Sequence, residues 1–259
     1  MKSKLTVIKI GGNIIDDENM LNSFLDDFSK IKNPKVLIHG GGKIASKLND
    51  RLGIDTIMNE GRRITSSDNL ETITMVYAGL INKKIVSKLQ GRNCNALGLS
   101  GSDANCILAT KRTTTPIDFG WVGDVKYVNN ITINLFLKNG ITPVFCAVSH
   151  DGNGQLLNTN ADTVAAEIAI AMTETYETEL IYCFEKDGVM MDMNDNDSII
   201  STINSDKYKD LKENKIINEG MLPKMENCFY ALQNSVTKVI IGSPKVLNNK
   251  ETLFTTLTL

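Results

Sequence analysis

Short apolar runs rich in β-branched residues recur along this chain, and most are followed by a segment with helical spacing. "LTVIKI" (5–10) reads as a strand, with a helix near 17–31 behind it. "KVLIHG" (35–40) reads as a second strand, and a helix opens at its glycines. The segment 66–90 carries Leu70, Ile73, Tyr77, Leu80, Ile81, Ile85 and Leu89 at helical intervals on one side. "NALGLSG" (95–101) is a third strand, and "CILATKRT" with "WVGDVKYV" reads as an antiparallel pair. A helix near 131–138 leads into the strand "ITPVFCAV" (141–148). "NADTVAAEIAIAM" (160–172) is helical, "ELIYCF" (179–184) is a strand, two helical patterns lie between 201 and 235, and "VTKVIIG" (236–242) is a late strand. Such alternation constrains the chain to an α/β fold with a mainly parallel sheet and helices on both faces. No repeat or long linker divides it. The boundary between lobes is placed after the 160–172 helix, giving residues 1–173 and 174–259.

Composition narrows the function classes. The chain has 259 residues, 42% of them hydrophobic, enough for a sizeable core. Its net charge of −2, without long blocks of like charge, gives no nucleic-acid surface. No run is long enough to cross a bilayer, and Lys9 interrupts the only N-terminal stretch resembling a signal peptide. Cys94, Cys106, Cys146, Cys183 and Cys228 are scattered and form no C-x-x-C pair, so reduced, buried thiols and a cytoplasmic location are expected. Neither histidine stands in a metal-ligand pattern, and no protein-built metal site is expected.

"IKIGGN" (8–13) and "LIHGGGK" (37–43) share a design, an apolar strand ending in glycines. Ligands of open α/β sheets sit beyond the C-terminal strand ends, where bare backbone N–H groups can face an anion. One such loop is ordinarily a tight turn; two within 43 residues point to an anion site. It is not a P-loop, because Lys43 is followed by Ile44 and the glycine spacing is wrong. Nor is it a dinucleotide fingerprint, because G-x-G-x-x-G is missing.

Several charges are oddly placed. Lys9 ends an apolar strand, where a lysine is costly unless paired, and from that tip it can reach a ligand. Gly220 and Pro223 point to a helix start around 221–223, which puts Lys224 in a first turn that disfavours a cation unless an anion is near. In "NTNAD" (158–162), Asn160 is a good N-cap and Asp162 suits the helix dipole, but neither property explains Asn158. Arg62 and Arg63 lie side by side. In an extended segment they face opposite ways, so at most one is expected in a site. His39 ends a buried strand and reads as a hydrogen-bonded core histidine. Trp121 either shapes a pocket or packs.

Together these pieces resemble the amino-acid kinase superfamily, and within it the N-acetylglutamate kinases of arginine biosynthesis. The resemblance rests on "IKIGGN", "LIHGGGK", "EGRRIT", "YAGLINKKIV", "ALGLSGSDAN", "WVGDV", "LLNTNADTVAAEIA" and "EGMLPKM", in the family's order from about residue 4 to residue 242. It implies a three-layer αβα sandwich and an ATP-dependent phosphorylation of the side-chain carboxylate of N-acetyl-L-glutamate. The acyl amino acid would lie on the first lobe and ATP on the second. By resemblance, Lys9 and Lys224 neutralise the transferring phosphoryl group and Asp162 holds both lysines. Gly11, Gly41 and Gly42 offer N–H groups to phosphate and carboxylate, with Gly12 beside them at the nucleotide. Arg63 and Asn158 hold the substrate's α-carboxylate, and Mg²⁺ rides on the ATP phosphates.

The sequence departs from the family's D-x-x-G at "FEKDG", where Glu185 takes the matching nucleotide-facing position. The extra N-terminal helix of arginine-inhibited relatives is missing, so a homodimer through the 66–90 helix is expected, without that feedback route. Two alternatives stand beside this reading: the same reaction on N-succinyl-L-glutamate, and a non-catalytic nucleotide or acyl-glutamate sensor. A sensor would have no reason to keep Lys9, Asp162 and Lys224 together.

Overall fold

The computed structural model describes residues 2–259 apart from 60, 193, 194, 196, 197, 215, 218–220 and 249–252. Gly220, read above as a helix-start signal, lies outside the described residues. In chain order the first elements are β1 (Lys4–Ile10), α1 (Gly12–Asp16), α2 (Glu18–Lys30), β2 (Lys35–His39) and α3 (Gly42–Leu52). A hairpin of β3 (Ile57–Asn59) and β4 (Arg62–Ile64) precedes α4 (Ser67–Thr74), which runs through a π-helical stretch, Met75–Ile81, into α5 (Asn82–Gln90). Next come β5 (Ala96–Leu99), β6 (Ile107–Lys111), β7 (Val122–Val128), α6 (Asn130–Lys138), β8 (Thr142–Cys146), β9 (Val148–His150) and β10 (Leu156–Thr159). The chain closes with α7 (Ala161–Met172), β11 (Glu177–Cys183), β12 (Thr202–Ile203), α8 (Ser205–Glu213), α9 (Leu222–Gln233), β13 (Lys238–Gly242) and β14 (Thr255–Leu257).

Eight of these strands form one sheet in the order β12-β14-β13-β11-β1-β2-β8-β5. Every described pairing in it is parallel except β13 with β14. The period of two along a strand sorts the side chains into two cores. Leu5 and Val7 of β1, with Val36, Ile38, Leu180 and Tyr182 of its neighbours, face the layer of α6, α7, α8 and α9. Ile8 and Ile10, with Leu37, Ile181 and Cys183, face the layer of α1, α2, α3 and the long helix of 67–90. This is the expected three-layer α/β sandwich. The pattern 141–148, expected as one strand, is two. It leaves the main sheet after Cys146, and β9 joins β6, β7 and β10 in a small closed barrel. The antiparallel pairing of β6 with β7 is as the sequence implied.

One buried charge has a purely architectural duty. Lys35 is 6% exposed. Its Nζ donates to the carbonyls of Phe28 (2.8 Å), Ser29 (3.0 Å) and Ile31 (2.9 Å) at the end of α2. A cation suits that negative end of the helix. Lys35→Met is expected to lower stability by about 2–3 kcal/mol while leaving per-molecule activity intact. A urea-denaturation midpoint equal to that of the parent would refute this.

All five cysteines are free and buried. Burial pushes Cys146 and Cys183 up to about 12, so these thiols are poor nucleophiles. His39 is also a core residue. Its Nδ1 lies 2.8 Å from the Gly40 carbonyl, which can only accept, so Nδ1 carries the proton. Nε2 therefore accepts from Asn82 Nδ2 at 3.1 Å. Burial lowers its pKa to about 4, and the neutral ring completes the Asn82 network.

Candidate active site

Alternation along β1 puts Lys9 on the same face as Leu5 and Val7, the face covered by α7. Lys9 is one residue from the strand's end, level with the first turn of α7. Asn160 caps that helix: its side chain accepts from the N–H groups of Asp162 (2.8 Å) and Thr163 (3.1 Å). Asp162 is thereby fixed with its carboxylate toward the sheet. Lys9 Nζ lies 2.7 Å from Asp162 Oδ1. From the opposite side α9 brings Lys224, whose Nζ donates to Asp162 Oδ2 at 2.9 Å. Met221 stands at that helix's N-cap with Pro223 in its first turn, so Lys224 occupies the turn that the sequence implied. Tyr182 pairs in register with Lys9; its hydroxyl donates to the Asp162 carbonyl at 2.9 Å, and its ring lies under Lys224.

Electrostatics follow from this packing. Burial alone would raise the Asp162 carboxyl, but Lys9 and Lys224 overcome it and hold the group well below the usual carboxylate range. Burial lowers the Lys9 ammonium, with Asp162 opposing and Lys224 assisting. Two cations share one carboxylate, so the cluster keeps a net positive charge at the ends of the glycine-tipped strands.

Through Lys9 that cluster borders a cleft of about 390 Å³, lined also by Gly12, Gly40, Gly41, Gly42, Arg63 and Asn158 among others. Arg63 is fastened to α3 by bonds from Nη2 to the Gly42 carbonyl (3.0 Å) and Ser46 Oγ (2.7 Å), which fixes its guanidinium at the cleft wall. Asn158 donates to Thr65 Oγ1 at 3.0 Å. The three-glycine loop has two reasons for lacking side chains. Gly42 opens α3 toward the cleft. At Gly41 a Cβ would collide with Ile81 Cδ1 and lie 3.1 Å from the Tyr77 ring.

Two expectations need correction. Gly11 does not offer its N–H to a ligand, because it donates to the Cys183 carbonyl at 2.8 Å where β1 ends beside β11. Gly12, the first residue of α1, reaches the cleft instead. Arg62 borders the cleft together with Arg63, because the β3–β4 hairpin runs along its rim. Glu185 lies in a separate cavity beyond the end of β11, with Lys186, Asp187, Met190 and Ile199. Trp121 precedes Val122 of the cleft wall; its Nε1 donates to Ser67 Oγ at 3.1 Å and Lys111 lies over its ring. Sequence reading missed Arg112 and Tyr77, both in the cleft wall. Arg112 pairs with Asp124 across β6 and β7, and nothing in a strand-end arginine announced it. Tyr77 was hidden as one more apolar-spaced position.

Comparison with known proteins agrees with this geometry. The model of the amino acid kinase family matches residues 4–243. An acetylglutamate kinase from Cytophaga hutchinsonii is 50% identical, the match covering 98% of each chain. One from Phocaeicola vulgatus is 46% identical over 96% of each. The crystal structure of smu.665 from Streptococcus mutans superposes with a TM-score of 0.82 at 25% identity, covering 98% of both chains.

Proposed function

The chain belongs to the amino acid kinase family, and from that premise we propose that it transfers the γ-phosphoryl group of ATP to the side-chain carboxylate of N-acetyl-L-glutamate. The product is an acyl phosphate, and the step belongs to arginine biosynthesis. The observation that carries this reading is the Lys9–Asp162–Lys224 cluster, whose Lys9 lines the cleft together with the glycine loops. A carboxylate is already an adequate nucleophile, so the protein has to supply position and charge rather than a base. Lys9 and Lys224 neutralise the phosphoryl oxygens in flight. Asp162 keeps the two ammonium groups apart and aimed. Gly41 and Gly42 set bare backbone against the reacting carboxylate, and Arg63 with Asn158 holds the α-carboxylate. Excess positive charge and open backbone at Gly12 fit the phosphates of a nucleotide whose Mg²⁺ it brings with it. Glu185, in its own cavity beyond β11, faces the rest of the nucleotide.

In functional terms, residues 1–173 bind the acyl amino acid and 174–259 the nucleotide, although the sheet runs unbroken between them through β1 and β11. Met75 (53% exposed) and Leu80 (60%) give the long helix an outward apolar side on which a second copy would pack. No described helix is long and apolar enough to cross a membrane, and buried free thiols suit the cytoplasm.

Arg112 favours a second reading of the acyl group. Asp124 balances its charge, but beside Arg62 and Arg63 in the cleft wall Arg112 would, by exchanging that partner, suit an acyl group with its own carboxylate, as in N-succinyl-L-glutamate. Hydroxylamine trapping with ATP and Mg²⁺ decides: hydroxamate is expected with N-acetyl-L-glutamate, in excess over free L-glutamate and L-aspartate. Hydroxamate with N-succinyl-L-glutamate alone would reassign the acyl group. No signal with any of the four, from protein that still binds ATP, would put a sensor in place of an enzyme.

A further inference from the structure

Tyr77 stands in the cleft wall without a part in the reaction described above. It belongs to the π-helical stretch Met75–Ile81, and such stretches within helices are frequent at functional sites. The residue is 7% exposed. Its ring lies against the Gly41 backbone, and its hydroxyl sits at the amino end of α3, 3.7 Å from where a Cβ on Gly42 would be. Among the described hydrogen bonds that hydroxyl has no protein partner, and it is not sealed away from the cleft. A phenol left so has its hydrogen bond open to whatever occupies the cleft, water or ligand.

Burial raises the Tyr77 pKa, with the Arg63 guanidinium opposing, so the group is a neutral phenol with a proton to donate. Its surroundings all suit an anion: the first turn of α3 and the anchored guanidinium of Arg63. We propose that the Tyr77 hydroxyl donates a hydrogen bond to the reacting carboxylate that Gly41 and Gly42 face, making Tyr77 a determinant of acyl-amino-acid binding. This rests on the reading of the cleft as an acyl-glutamate site.

The alternative is that Tyr77 merely fills space against Gly41 and Ile81. Phenylalanine would fill it equally well, so Tyr77→Phe separates the two. The expected result is a KM for N-acetyl-L-glutamate raised about tenfold, the effect of losing one hydrogen bond to a charged group. The KM for ATP and the thermal midpoint should not move. An unchanged KM for N-acetyl-L-glutamate would overturn the proposal. So would both KM values rising together with a lowered thermal midpoint, because that pattern belongs to a packing residue. The parent protein, assayed alongside, tells this failure from the other: if it turns over no N-acylated glutamate, the functional reading itself has fallen.

Discussion

Lys9→Ala and Lys224→Ala are each expected to reduce kcat by about 10²–10³ while leaving the fold in place. The magnitude is that of removing one preorganised donor from a developing charge in a secluded site. The survival of the fold follows from the shared carboxylate. In either variant Asp162 keeps one cation, at 2.7 Å (Lys9) or 2.9 Å (Lys224), so its charge is never left alone. For Lys9 there is a further offset. Its ammonium is disfavoured chiefly by burial, so its removal relieves a desolvation cost along with the lost pairing. The measurement is kcat at saturating ATP and acyl-glutamate, together with thermal melting by circular dichroism. Near-normal turnover in either variant would end the role assigned to that lysine.

The parts of this site legible in the sequence were those that broke a local rule. Lys9 interrupts an apolar strand, and Lys224 places a cation where a helix dipole repels one. Asp162 obeys every local rule, so only the family resemblance, and no local anomaly, gave it the central position that it takes where β1, α7 and α9 pack together. The two lysines reach it from elements on either side of it in the chain. Tyr77 was obscured for the opposite reason. It keeps helical spacing with its neighbours in the sequence, and that spacing does not announce the π-helical stretch, which sets Tyr77 against Gly41 and leaves Leu80, read on the same side, 60% exposed. The layers of the fold were readable wherever apolar runs were long. β3, β4, β12 and β14 have two or three residues each, too few to show a period of two. The run 141–148 concealed a change of sheet because both pieces are buried, and hydrophobicity does not record which sheet a strand joins. Gly11 was read as a ligand contact when its N–H closes the junction of two parallel strands. A glycine's bareness shows that something approaches closely, without saying whether it is ligand or protein.

Asp162→Asn is expected to be the most damaging isosteric change in the molecule. It leaves two ammonium groups facing each other without a counter-ion, and removing one partner from a buried ionic cluster costs about 3–5 kcal/mol. The lower end applies here, because the Asp162 side chain is 18% exposed and solvent screens part of the repulsion. The pH dependence carries a definite sign. The native Asp162 carboxyl is held below its ordinary value of 3.8. It therefore binds fewer protons folded than unfolded, and its stabilisation is complete above about pH 5. That stabilisation is lost as pH falls below the ordinary carboxylate value toward the depressed one. In the variant Lys9, already disfavoured as a cation by burial, loses the partner that favoured its charged form, so the variant gains stability as pH rises toward the lysine range. Plotted against pH, the stability difference between parent and variant should be broad and flat around neutrality, narrowing below pH 4 and again at alkaline pH. Urea-denaturation midpoints at pH 3, 7 and 9.5 would record it. Equal midpoints at pH 7 would show that Asp162 is not the group holding the two lysines in the fold, and the positioning role assigned to it in phosphoryl transfer would fall with that result.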